Sequence, residues 1–220
     1  MSPERIQQQI SDLIDRLIES GLSVKQFHPS VRKAPDGITL IGRKQSTGIA
    51  LRDIPYEEVY KELDSTEAYD AKLVDGGLLL LQYKFSAEDG LIQHRLAYFP
   101  SPQLPTVDDA PELYEQDELY ADVVARNIVR FPIRFDYAPK QAKNLDHPAS
   151  HLTLGQYENC RIPVTGPMSP NAFGVFIIRN FYWRAYSKNK NVFNKKPPQS
   201  ERIYQITDDE RRLIHVFNGR

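Results

Sequence analysis

Apolar residues recur along this chain at two periods, and the switches between them mark out its elements. Ile6, Ile10, Leu13, Ile14, Leu17 and Ile18 return every three or four positions, the spacing that lines one face of an α-helix. Ser2 can cap that helix, Pro3 suits its first turn and Gly21 suits its end. Short extended segments follow at "GITLIG" (37–42) and "GIAL" (48–51), then a second helix over "PYEEVYKELDS" (55–65). The stretch 75–100, "DGGLLLLQYKFSAEDGLIQHRLAYFP", predicts a hairpin whose turn spans Ser86 to Gly90.

The strictest alternation comes later. In "FPIRFDY" (131–137), Phe131, Ile133, Phe135 and Tyr137 point one way, and Pro132, Arg134 and Asp136 the other. That is the period of a half-buried antiparallel strand. A proline-flanked loop leads to a second run, "HLTLGQY" (151–157), and "CRIPV" (160–164) suits a further strand. "SPNAFGVFIIRNFYWRAY" (169–186) reads as one long apolar helix that opens at Ser169 and Pro170. The expected fold class is α+β: an antiparallel meandering sheet, flanked on its apolar face by an N-terminal and a C-terminal helix.

Length and composition set the frame. With 220 residues, 40% hydrophobic, the chain can bury one sizeable core. A single domain over 1–220 is expected, with its core over about 1–182 and a basic C-terminal extension over 183–220. No apolar run approaches the ~20 residues of a membrane helix, and the polar start is unlike a signal peptide. Cys160 is the one cysteine, so no internal disulfide can form. A cytoplasmic protein with no membrane association is the expectation.

The net charge of -1 hides a polarised distribution. Residues 105–122 carry seven acidic side chains and no basic one, and the expectation is a helix there, through Val124. Residues 183–196, "WRAYSKNKNVFNKK", carry five basic side chains and no acidic one. Arg184, Lys188, Lys190, Lys195 and Lys196 could meet phosphates while Trp183 or Phe193 stacks on bases. A solvated loop anchored by its aromatics is the plainer reading of the same stretch.

The candidate chemistry lies on the polar side of the alternating strand. If "HLTLGQY" pairs with "FPIRFDY", His151 and Thr153 share an exposed face with Arg134 and Asp136. Arg binds phosphate, His transfers protons near neutral pH, Asp orients the His and Thr donates a hydrogen bond. A surface Arg–Asp ion pair beside a strand-capping histidine is, on spacing alone, the plainer explanation of the same residues. His147 and His151 have the spacing of a helical zinc pair, with Asp136 as a third ligand, but Pro148 disfavours the helix that pairing needs. Asp75, Gln82 and Lys84 faintly resemble a metal-dependent nuclease pattern, although Gln82 would bind magnesium poorly. Cys160, next to Arg161, reads as a structural thiol or one of lowered pKa. Arg179, inside an apolar run, would need an acidic or phosphate partner.

"RFDY", "DHPASHLTLG", "CRIPV" and "SPNAFGVFIIRNFY" together resemble the bacterial family known as domain of unknown function 2290, most densely from Arg130 to Tyr182. The resemblance implies a role in phage defence beside a helicase-like partner protein. Arg134, Asp136, Pro139, His147, Pro148 and His151 also resemble small toxins of the TumE type, which implies action on RNA. Lys140 and Gln141 stand where that type carries further histidines. The reading that follows is an anti-phage defence protein that acts on nucleic acid, RNA or DNA, as a metal-independent nuclease without cofactors. His151 would be the general acid/base, His147 the second proton-transfer group, Asp136 the orienter, and Arg134 and Arg161 the phosphate clamps, with Thr153 beside them. The alternative is a non-catalytic adaptor that recruits a helicase or recognises nucleic-acid ends.

Overall fold

The computed structural model describes residues 1–43, 54–88, 90–103, 108, 111, 131–195 and 203–218. Helix α1 (Pro3–Glu19) opens as its sequence requires, with the Ser2 hydroxyl accepting the Arg5 N–H. It ends at Gly21, whose φ of 67° is the left-handed value that glycine adopts without strain. Ile6, Ile10, Leu13, Ile14 and Leu17 are fully buried, each worth about 1.5–3 kcal/mol of hydrophobic stabilisation. Ile18, expected on the same face, is 44% exposed because the apolar stripe has already turned past it.

Among the described residues, nine strands form one antiparallel sheet: β1 (Ser23–Gln26), β2 (Val31–Lys33), β3 (Thr39–Ile41), β4 (Ala71–Leu73), β5 (Leu78–Ser86), β6 (Gly90–Phe99), β7 (Ile133–Tyr137), β8 (Ser150–Leu154) and β9 (Ile162–Pro163). From β5 to β9 they follow one another as a meander. The other edge of β5 is shared: β4 pairs with its start and β3 with its end. Helix α2 (Tyr56–Ser65) lies over one face. Helix α3 (Pro170–Phe181) packs with α1 on the other. The expected α+β meander with helices from both ends of the chain is the observed fold.

The two faces explain the run of four leucines in β5. Leu79 and Leu81 join Leu96, Ile133, Phe135 and Tyr137 beneath α1 and α3. Leu78 and Leu80 join Ala97 and Phe99 beneath Val59, Tyr60 and Leu63 of α2. A strand covered on both sides loses its polar alternation. Helix α2 covers only part of its face. Further along β6, β7 and β8 the positions in the same phase turn polar: Arg95, Arg134, Asp136, His151 and Thr153.

Several expectations change. The long C-terminal helix is broken at Tyr182 (φ -130°, ψ 51°), so α3 ends there and α4 (Trp183–Lys188) restarts after it. The Tyr182 hydroxyl donates to Asp75 at 2.8 Å and lies 2.9 Å from the Tyr98 hydroxyl. Those buried contacts hold the residue out of helical geometry. The core does not stop at residue 182, since Ala185, Tyr186, Val192 and Phe193 are buried in the main cluster. Val216 also bridges to Val164. Arg179 is exposed, its guanidinium 6.0 Å from the Tyr186 ring, so no buried charge needs an acidic partner. Phe131 is 44% exposed and lies before β7. "GIAL" and, apart from Asp108 and Pro111, the acidic stretch 105–122 lie outside the described residues, as does Lys196. No helix among the described residues is long and apolar enough to cross a membrane.

Candidate functional site

Register brings the polar positions together. Asp136 on β7 pairs with Arg95 on β6 and His151 on β8, while Arg134 pairs with Ala97 and Thr153. A cross-strand pair places side chains on one face about 4.5–5.5 Å apart. Arg134, Asp136, His151 and Thr153 therefore converge, as the alternation in the sequence implies. Arg95 is the residue that the sequence did not single out, although Gln93 and Arg95 alternate with Leu96 and His94 in the same phase as the others.

Asp136 is the electrostatic centre. Its Oδ1 accepts from Arg95 Nε at 2.8 Å, and its Oδ2 lies 3.3 Å from Arg134 Nε and 4.0 Å from His151 Nε2. Burial would push this carboxyl up, but Arg95 and Arg134 outweigh burial and hold it below the usual carboxylate range. His151 shifts the other way. Burial disfavours its imidazolium more than Asp136 favours it, so the ring is held below its ordinary pKa and is neutral at pH 7.

Both histidines are fixed through the same nitrogen. His151 Nδ1 lies 3.0 Å from the Pro148 carbonyl, and His147 Nδ1 lies 3.0 Å from the Gln141 carbonyl. A carbonyl only accepts, so Nδ1 carries the hydrogen in each ring and Nε2 of the neutral ring keeps its lone pair. The Pro148 carbonyl, rather than Asp136, thus orients His151. His147 sits on a tight turn closed by two backbone hydrogen bonds between Lys143 and His147. Its ring centroid is 4.9 Å from that of His151. The rings meet without the helix that Pro148 forbids.

The face is not open sheet surface, as the sequence suggested. His151 is 5% exposed, Thr153 3%, Asp136 8% and Arg134 9%, because the segments 138–147 and 155–161 rise as walls around them. They form the floor of a cavity of about 610 Å³, lined also by Arg95, His147, Tyr157 and Arg161. Arg161 reaches across one wall to the Asp146 carbonyl at 3.2 Å. Three guanidiniums, of Arg95, Arg134 and Arg161, face the carboxylates of Asp136 and Glu158, so the lining favours an anion.

Other candidates fall elsewhere. Asp75 is buried in a turn, where it accepts from Gly77 N and Tyr182, while Gln82 donates to the Arg43 carbonyl. They form no common site with Lys84. Cys160 is half-buried and its Sγ accepts the Leu154 N–H at 3.4 Å. Among the described residues, no group of three or more His, Cys, Asp or Glu side chains is placed to hold a metal ion. In the basic stretch, Arg184, Lys188, Lys190 and Lys195 are exposed and Trp183 is 51% exposed. Phe193 is 1% exposed, so it is a core residue and cannot stack on a base. This stretch packs on the α1 and α3 side, with the sheet between it and the cavity.

Over residues 22–217 the chain matches the family described as an uncharacterized conserved protein (DUF2290). No curated protein and no solved structure matches it.

Proposed function

We propose a function for a chain that belongs to the DUF2290 family: a nuclease that breaks phosphodiester bonds without a metal ion. One observation carries this reading. Two histidines, each tied through Nδ1 to a backbone carbonyl, line a cavity shared with three guanidiniums. Arg134 and Arg161 would hold the phosphate and stabilise the charge that develops on it. His151 Nε2 would take the proton from the attacking oxygen as that oxygen bonds to phosphorus. His147, in its doubly protonated form, would give a proton to the leaving oxygen as its bond to phosphorus breaks. Asp136, 4.0 Å from His151 Nε2, would stabilise the imidazolium that results. Its two arginine partners occupy it, which makes it a poor ligand for a hard cation.

The family resemblance extends this reading to anti-phage defence beside a helicase-like partner, and the TumE likeness favours RNA among the substrates. By its charge, the acidic stretch 105–122 would meet a basic face of that partner. The non-catalytic reading has its own support: a deep floor, at most 9% exposed, suits an end-recognising adaptor as well as an enzyme. Incubating the purified protein with RNA, single-stranded DNA and duplex DNA, with and without chelator and partner, separates the two. Cleavage that persists in chelator is expected. Tight binding of ends without cleavage would give the site to the adaptor, and loss of cleavage in chelator would end the metal-independent mechanism.

A further inference from the structure

One large ring at the wall of the cavity, and a second beside that wall, are left unburied by the fold. Tyr157 lines the cavity and is 76% exposed, and Phe131 is 44% exposed. Both border Gly155. A Cβ placed on this glycine would lie 3.2 Å from Tyr157 Cδ2 and 3.9 Å from Phe131 Cβ. Gly155 has a φ of 70°, and its N–H donates to the Pro132 carbonyl at 2.7 Å. The left-handed backbone favours glycine, and the missing side chain lets the Tyr157 ring lie close against the chain. The hydrogen bond ties this turn to the residue beside Phe131. One tyrosine on a surface needs no explanation. Two exposed aromatic residues flanking one glycine, at and beside a cavity with three guanidiniums, have a chemistry in common.

Guanidiniums hold phosphate oxygens. Exposed rings add little to inorganic phosphate, and a duplex keeps its base faces stacked on one another. A single strand offers both partners at once, a backbone phosphate and an unpaired base with a free π-face. The cavity volume of about 610 Å³ is that of a small-molecule site, and a double helix cannot enter it.

We propose that the cavity and these two aromatic residues bind single-stranded nucleic acid, with a backbone phosphate at Arg134 and Arg161, the adjacent base on Tyr157 and the next against Phe131. This rests on the cavity being a phosphate site, as the proposed function requires. Tyr157 becomes the residue that selects unpaired over paired substrate. The basic stretch on the opposite side of the sheet adds affinity for any backbone, paired or not.

Fluorescence anisotropy at one fixed salt concentration tests this with three labelled probes: a short thymidylate strand, the same backbone with abasic residues, and a duplex of equal length. The wild-type protein is expected to bind the thymidylate strand about tenfold more tightly than the abasic one, the scale of one base–aromatic stack. Tyr157→Ala should remove most of that margin and leave abasic binding unchanged, while Tyr157→Trp should keep it. Phe131→Ala should act in the same direction. Equal binding of both single strands by the wild type, or a margin that Tyr157→Ala leaves unreduced, overturns the inference. In that event, weaker binding of both strands by Arg161→Gln preserves the cavity as a phosphate site. If Arg161→Gln changes nothing, that reading falls as well.

Discussion

His151 takes its aim from the Pro148 carbonyl and its protonation state from burial. Its pH behaviour follows directly. In the proposed mechanism the base is the neutral ring, so activity should be present above the pKa of His151 in the free protein and be lost as pH falls through it. Because that pKa is depressed, the acid limb of kcat/KM should centre below the ordinary 6.5. A pH–rate profile checks this, and an acid limb at or above 6.5 would remove His151 as the base. Asp136 has the opposite linkage. Its folded pKa is lowered, so the stability it contributes is present at neutral pH and is lost as pH falls below the unfolded value of 3.8. Asp136→Asn leaves Arg95 and Arg134 without their counter-charge and should cost about 3–5 kcal/mol at pH 7. Urea unfolding should show that penalty shrinking below about pH 3.8, first as the unfolded chain's carboxyl takes up a proton and, at lower pH, as the folded one does.

At the scale of elements, the crossing of α1 and α3 is a tight joint. A Cβ at Gly174 would lie 2.4 Å from Leu13 Cδ1, and Leu13 is fully buried. Gly174→Ala gains up to about 1 kcal/mol of helix propensity but overpacks the joint by about 1–3 kcal/mol. A net loss of stability is therefore expected in thermal melts, and smaller residues at position 13 should relieve it in the double variant. Elements with a strong period were legible in the sequence: α1, α2, the β5–β6 hairpin and the phase of β7 and β8. What escaped was set by long-range contact. β1 and β4 are four and three residues long and pair with each other across the segment 27–70. The break at Tyr182 depends on Asp75, more than a hundred residues away. Arg95 joined the site only through a pairing of β6 with β7 across the segment 100–132, which no local pattern fixes. The burial of His151 came from loop walls whose course alternation does not encode.

For the whole molecule, the sheet is a partition. The cavity lies on the α2 side, and the exposed cations of 183–195 lie on the α1 and α3 side. Affinity and chemistry should therefore separate. Replacing Arg184, Lys188, Lys190 and Lys195 by glutamine removes up to four phosphate contacts. This should lower the log–log salt slope of single-strand binding by about three units and leave kcat at saturating substrate unchanged. A fall in kcat with the salt slope intact would join the two surfaces into one site and contradict the partition. The central claim is that a metal-free phosphodiester cleavage runs through His151. Its most direct test is the single-turnover cleavage rate of a labelled RNA or DNA strand in chelator, compared between wild type and His151→Ala under conditions where circular dichroism shows both folded. Wild-type cleavage that survives chelation and falls by at least about a hundredfold in His151→Ala is the predicted result. No cleavage of any strand by the wild type, or equal rates in the two proteins, would contradict it.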